Sequence, residues 1–220
     1  MKVKILILTC LALFTGVVGC ANTSGNTTST AGTVQSNNQK NAPSPAKPAS
    51  APATRQVKGT ATSLGAGTFT GGKDVAVGLY DVTAPGSQSG NFMVDGNDSY
   101  NEILGSDGVS KVRVKISAGD KIQIAGLSQV TFTPVTTPFV TIHTAVNLYA
   151  GTFTVGQDIG AGRYVATAPA GGSGNFMVDG NDSYNEILGS DGVPKVTVDL
   201  TDGDTINISG LDQVTMTPSS

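Results

Sequence analysis

The sequence predicts an all-β protein: two tandem small antiparallel β-sandwich or jelly-roll-like modules behind a disordered N-terminal tether. Three observations predict it. Apolar residues alternate with a period of two rather than 3.6, as half-buried strands require. Turn signals rich in Gly and Asp recur at short intervals between those alternations. A single unit also occurs twice: positions 60–134 map onto 144–218 without insertion or deletion, and 50 of the 75 aligned pairs are identical. Within the unit, NFMVDGNDSYNEILGSDGV stands unchanged at 91–109 and 175–193.

Residues 1–19 have the pattern of a secretory signal. Lys2 and Lys4 precede an apolar run, Ile5 to Thr15, that is too short to cross a hydrocarbon core of roughly 30 Å. The run ends in Val17-Val18-Gly19-Cys20, which looks like a bacterial lipoprotein cleavage site. Cys20 is then the new N-terminus and the expected lipidation site, its sulfur carrying diacylglycerol. The implied location is the extracytoplasmic face of the cell membrane. Cys10 falls in the removed segment, so the mature chain keeps only Cys20 and no disulfide is expected.

Residues 20–58 are written almost wholly in Ser, Thr, Asn, Gln, Ala, Gly and Pro. Such a segment buries too little apolar surface to offset the entropy of ordering, and is expected to be a disordered tether. Its proline-rich half, PSPAKPASAP, is expected to be the stiffer part.

Residues 59–134 form the first β-module and 144–220 the second. Val196, Val198 and Leu200 alternate with Thr197 and Asp199, Ile206 and Ile208 flank Asn207, and Val214 and Met216 alternate with Thr215 and Thr217. About seven short strands per unit are expected, with NDSYNEIL the one stretch of helical character. A single core of that size is marginal, which is a reason for the two units to pack together. The junction, 135–143 (VTTPFVTIH), is apolar and β-branched enough to be a strand or an inter-module seam rather than a flexible linker.

The second unit opens with GTFTVGQDIGAGRY, from Gly151 to Tyr164, followed by Ala168-Pro169 and by Gly172 to Asn175. This resembles a tandem repeat of poorly characterised lipoproteins and surface proteins of low-GC Gram-positive bacteria. The first copy departs from it, with Gly71 where Val155 stands, Val75 for Ile159 and Val77 for Ala161. The resemblance implies a β-rich extracytoplasmic module and carries over no activity or site residues.

Three readings fit the doubled segment. It can be strand, turn, short strand and turn, using every residue. It can be a calcium loop: Asp95, Asn97, Asp98 and Glu102, repeated as Asp179, Asn181, Asp182 and Glu186, offer the hard oxygen donors calcium takes. An EF-hand is absent, because Tyr100 and Ser106 stand where that loop needs Gly and Glu. Or Tyr100 and Tyr184 can stack on a sugar while polar neighbours bind its hydroxyls, the competing structural role being a tyrosine packed back over the sandwich edge.

Catalysis is not expected. His143 is the sole histidine and reads as an ordinary strand residue; no G-x-S-x-G, H-E-x-x-H or P-loop occurs. Carboxylate pairs such as Asp98 with Glu102, or Asp182 with Glu186, have no spacing across the fold that sequence reveals. The chain carries a net charge of −3, which with export makes nucleic acid a poor partner. The first copy is net −2 and the second −7. Lys111, Arg113 and Lys115 alternate along one expected strand, a basic stripe read as a solvated face, with the acidic second module or an anionic wall polymer as its alternative partner. The functional expectation is a membrane-anchored extracytoplasmic lipoprotein displaying two modules for non-catalytic binding or a surface structural role. The alternative is a calcium-stabilised protein, or one binding glycan, cell-wall polymer or a surface protein through the doubled acidic loop.

Overall fold

The computed structural model describes Arg55, Gln56 and residues 58–220. The expected signal sequence, the Cys20 lipidation site and the tether as far as residue 54 lie outside the described residues. Those described form sixteen strands and no helix. Module 1 contains β1 (Thr62–Leu64), β2 (Gly67–Thr70), β3 (Gly78–Thr83), β4 (Ser89–Asp95), β5 (Tyr100–Gly105), β6 (Lys111–Ile116), β7 (Lys121–Ala125) and β8 (Val130–Pro134). Module 2 repeats them as β9 (Val146–Leu148), β10 (Gly151–Thr154), β11 (Gly162–Thr167), β12 (Ser173–Asp179), β13 (Tyr184–Gly189), β14 (Lys195–Leu200), β15 (Thr205–Ser209) and β16 (Val214–Pro218). Each module thus has eight strands rather than about seven. The opening strands β1 and β9 are three residues long, too short for an alternation to register.

Each module is a sandwich of two four-stranded layers. In module 1 the layers run β1-β8-β3-β6 and β2-β7-β4-β5; in module 2 they run β9-β16-β11-β14 and β10-β15-β12-β13. Strand pairing within each layer is antiparallel, and alternate side chains point into the space between layers. The expected alternation is visible in the burial of β14, where Val196, Val198 and Leu200 are inside and Thr197 and Asp199 outside. Phe92 on β4 meets Phe132 on β8 edge to face at 5.8 Å, joining the two layers of module 1. Burying each such ring removes apolar area worth roughly 1.5–3 kcal/mol. Met216 takes the place of Phe132 in module 2.

NDSYNEIL contributes strand, not helix: its second half is the start of β5 or β13. Its turn is held by a carboxylate from the neighbouring hairpin. Asp204, 4% exposed, accepts the Asn181 N–H at 3.2 Å and the Thr201 N–H at 2.7 Å. Asp120 accepts the Ser117 N–H of its own hairpin at 2.7 Å, the counterpart of the Thr201 bond. Each buried carboxylate therefore has donors, as its desolvation demands.

The junction forms a seam and no strand. The Val135 N–H donates to the Leu79 carbonyl of module 1, and the Val140 N–H donates to the Gln157 carbonyl of module 2. His143 is not the strand residue expected: it is exposed, bonded through Nε2 to the Arg163 carbonyl at 2.8 Å and set edge to face on Tyr164. The modules also share a sheet. β6 and β10 meet in parallel at Arg113 and Gly151, merging one layer from each module into eight strands, β1-β8-β3-β6-β10-β15-β12-β13.

Candidate functional site

The joint between the modules gathers most of the buried charge of the described residues. Arg113 on β6 is 6% exposed, which corrects the expected solvated basic stripe. Its backbone N–H donates to the Ala150 carbonyl at 2.9 Å, the single bridge that joins the sheets. Its guanidinium donates through Nε to Asp81 at 2.9 Å, through Nη1 to Asp158 of module 2 at 2.8 Å, and through Nη2 to the Tyr149 hydroxyl at 2.6 Å. Tyr149 donates onward to Asp81 at 2.5 Å. The planar fork of an arginine serves several acceptors at once, which a lysine ammonium cannot match in geometry.

Asp158 also receives Arg55 Nη2 at 2.6 Å, while its second oxygen accepts the Thr154 N–H at 2.8 Å. Arg55 donates as well to the carbonyls of Thr137 and Gln157, and its guanidinium lies 4.9 Å from the centre of the Phe139 ring. Arg55 is expected inside the disordered tether; at 8% exposure it is part of the joint, because the buried Asp158 carboxylate needs a cation there and the Thr137 and Gln157 carbonyls accept its remaining N–H groups. Two arginines and two aspartates balance in charge. Burial works against the Arg113 cation, but Asp81, Tyr149 and Asp158 outweigh it and push its pKa further up. Burial pushes the Tyr149 hydroxyl up as well. Of the rest of the expected stripe, Lys111 lies 3.6 Å over the Tyr149 ring, and exposed Lys115 pairs with exposed Asp98 at 3.2 Å. Of the stripe, Arg113 is the residue that meets an acidic side chain of the second module, Asp158.

The doubled segment has two fates. In the first copy Tyr100 and Glu102 turn into the joint: the Tyr100 hydroxyl donates to the Ile208 carbonyl at 2.5 Å, and Glu102 accepts the Gly210 N–H at 2.8 Å. Burial, then the adjacent Glu102, push the Tyr100 hydroxyl up. Burial likewise raises Glu102, against the lowering effect of the Gly210 and Tyr100 bonds. In the second copy Tyr184 is half-buried and Glu186 exposed. The candidate calcium donors do not converge. Asp95 and Asp179 accept bonds from Gln123 and Asn207, Asp98 faces Lys115, and Asn97, Asn181 and Asp182 are exposed. Among the described residues no three His, Cys, Asp or Glu side chains gather as a metal site would need.

Beside the joint lies a cleft of about 570 Å³, within the usual range for ligand pockets. Val77, Leu79 and Phe139 give it apolar walls, Tyr100 reaches it from β5, and Lys58 and Lys115 add cations. A second, shallower groove of about 440 Å³ is lined by the carboxamides of Asn101, Asn175, Asn185 and Asn207. Sequence reasoning missed Asp81, Tyr149, Asp158 and Arg55 as members of the joint. A signal was present: Arg113, Asp81 and Tyr149 all stand where the other copy differs, as Thr197, Val165 and Gly65. No protein-family model, curated protein or solved structure matches the chain.

Proposed function

We propose that the chain is a membrane-anchored extracytoplasmic lipoprotein whose fused modules bind surface material without turning it over. The observation that carries this reading is the 570 Å³ cleft at the joint, built from both modules, with apolar walls, the cation Lys58 and the Lys115–Asp98 pair at its rim. Of its charged lining, Arg55 is paired with Asp158 and Lys115 with Asp98, which leaves Lys58 as the cation with no ion pair among the described residues and favours holding a ligand over transforming it. The ligand class that fits is a segment of anionic wall polymer, with sugar or alditol faces on Phe139 and Tyr100 and a phosphodiester near the lysines. The V-V-G-C sequence supports the anchor and the location.

A neutral glycan is the second reading, favoured by the four carboxamides of the shallow groove. One titration separates the two. Anionic wall-polymer fragments should bind the full chain, lose affinity as salt rises, and lose it further in Lys58→Glu/Lys115→Glu; neutral oligosaccharides binding equally well in that variant would favour the groove instead. Neither ligand binding would remove the proposal. For the anchor, Cys20→Ala should leave the protein in the soluble fraction, and continued partition with membranes would overturn it.

A further inference from the structure

The modules meet through unlike faces of the same fold. Module 1 contributes its β5–β6 edge, carrying Tyr100, Glu102 and Arg113. Module 2 contributes β10 with the adjoining end of β15, carrying Gly151, Ile208 and Gly210. Contact between unlike faces of like units is heterologous, so each face is used once and left over once. Burial records this directly. Glu102 is buried and its counterpart Glu186 exposed; Ala150 and Gly151 are buried and their counterparts Ala66 and Gly67 exposed.

The geometry points to a second copy of this chain as the occupant of both leftover edges. The β13–β14 edge of one molecule docks on the β2–β7 edge of the next, continuing head to tail the contact that already joins the modules. Tyr184 donates to the Ile124 carbonyl and Glu186 accepts the Gly126 N–H, as Tyr100 and Glu102 do within the chain with Ile208 and Gly210. A second copy is the fitting partner because the β5–β6 edge has one known complement, and every molecule carries that complement unspent. Open strand edges are templates for such pairing.

The contact between chains is weaker than the one within. Ser110 N–H binds Asp212 at 2.6 Å, but its counterpart Pro194 has no N–H and faces Ser128 in place of the aspartate. Thr197 replaces Arg113 and Gly65 replaces Tyr149, so the ion network is missing. Two side-chain bonds remain of the internal set, and assembly is reversible with concentration.

Sedimentation of the full chain across a concentration series tests this. The average mass should rise past that of a dimer. Glu186→Lys blocks one edge and Ala66→Glu the other, and each variant alone should stay monomeric. Mixed, they should form a one-to-one dimer and stop there, since one good edge of each kind survives. Pro194→Ser with Ser128→Asp restores the third bond and should lower the association midpoint about tenfold, the equivalent of one charge-assisted hydrogen bond. A monomeric mass at every concentration, association of either blocked variant equal to that of the unaltered chain, or no dimer on mixing would overturn the inference.

Discussion

Arg113 of module 1 and Asp158 of module 2 lie 2.8 Å apart, each less than a tenth exposed, and their pairing crosses the one place where the two sheets become a single sheet. Removing one partner of a buried pair leaves an uncompensated charge. Arg113→Ala should therefore cost about 3–5 kcal/mol in denaturant unfolding. Lys115→Ala, which breaks only the exposed pair with Asp98, should stay within about 0.5 kcal/mol. Equal losses would show that the buried network does not hold the modules together.

The twin tyrosines give a comparison in which the local sequence is constant. Tyr100→Phe strands the Ile208 carbonyl inside the joint and should cost about 1–3 kcal/mol, whereas Tyr184→Phe should be close to neutral. Matching chemical-denaturation midpoints for the two variants would remove the assigned role of Tyr100.

Gly151 and Gly67 occupy the same place in the two copies with positive φ, 128° and 156°. A Cβ at Gly151 would collide with the Arg113 backbone, 2.8 Å from its Cα; at Gly67 the nearest atom is the Phe69 ring at 3.1 Å. Both alanine variants carry the left-handed strain of about 1–2 kcal/mol. Only Gly151→Ala should also part the sheets, seen calorimetrically as two separate transitions where the native chain gives one.

Glu102 gives the joint a pH dependence. Its pKa is raised in the folded chain, so the folded state holds the proton more tightly than the unfolded one, and its contribution to stability is present below the ordinary glutamate range and is lost as pH rises from that range through the raised folded-state value. The difference in stability between the native chain and Glu102→Gln should thus shift against the native chain on going from acid to neutral pH. A native-minus-Glu102→Gln stability difference that stays constant with pH would exclude Glu102 as the source.

Calcium is the remaining comparison. The oxygen donors of the doubled segment are dispersed among Gln123, Asn207, Lys115 and solvent, so melts in calcium and in excess EDTA should coincide. An upward shift in calcium, lost in Asp98→Asn/Asp182→Asn, would return the acidic loop to consideration as a metal site; saturation at a hundred times Kd would add about 2.7 kcal/mol.

Most of the fold was legible because strand periodicity and turn chemistry are local. Val196, Val198 and Leu200 alternate in the sequence and in the burial of β14 alike. The joint was less legible. Lys111, Arg113 and Lys115 share one face of a strand, and nothing local distinguishes a solvated stripe from one that meets Asp158 forty-five residues on. The usable clue was comparative and partial: Arg113, Asp81 and Tyr149 differ from their counterparts Thr197, Val165 and Gly65, whereas Tyr100, Glu102 and Asp158 have identical counterparts that give no sign of the contact.

The sequence by itself determined two β-modules of one design, their turns, their alternating cores and their common register, because those follow from side-chain period and from Gly, Asp and Asn at the bends. Only the tertiary structure decided that nineteen identical residues have two environments. Tyr100 and Glu102 bond across the joint, while Tyr184 packs on its own module and Glu186 faces outward. The physical reason is that a strand edge is satisfied or exposed according to what lies beside it, and its neighbour here comes from a residue more than a hundred positions away.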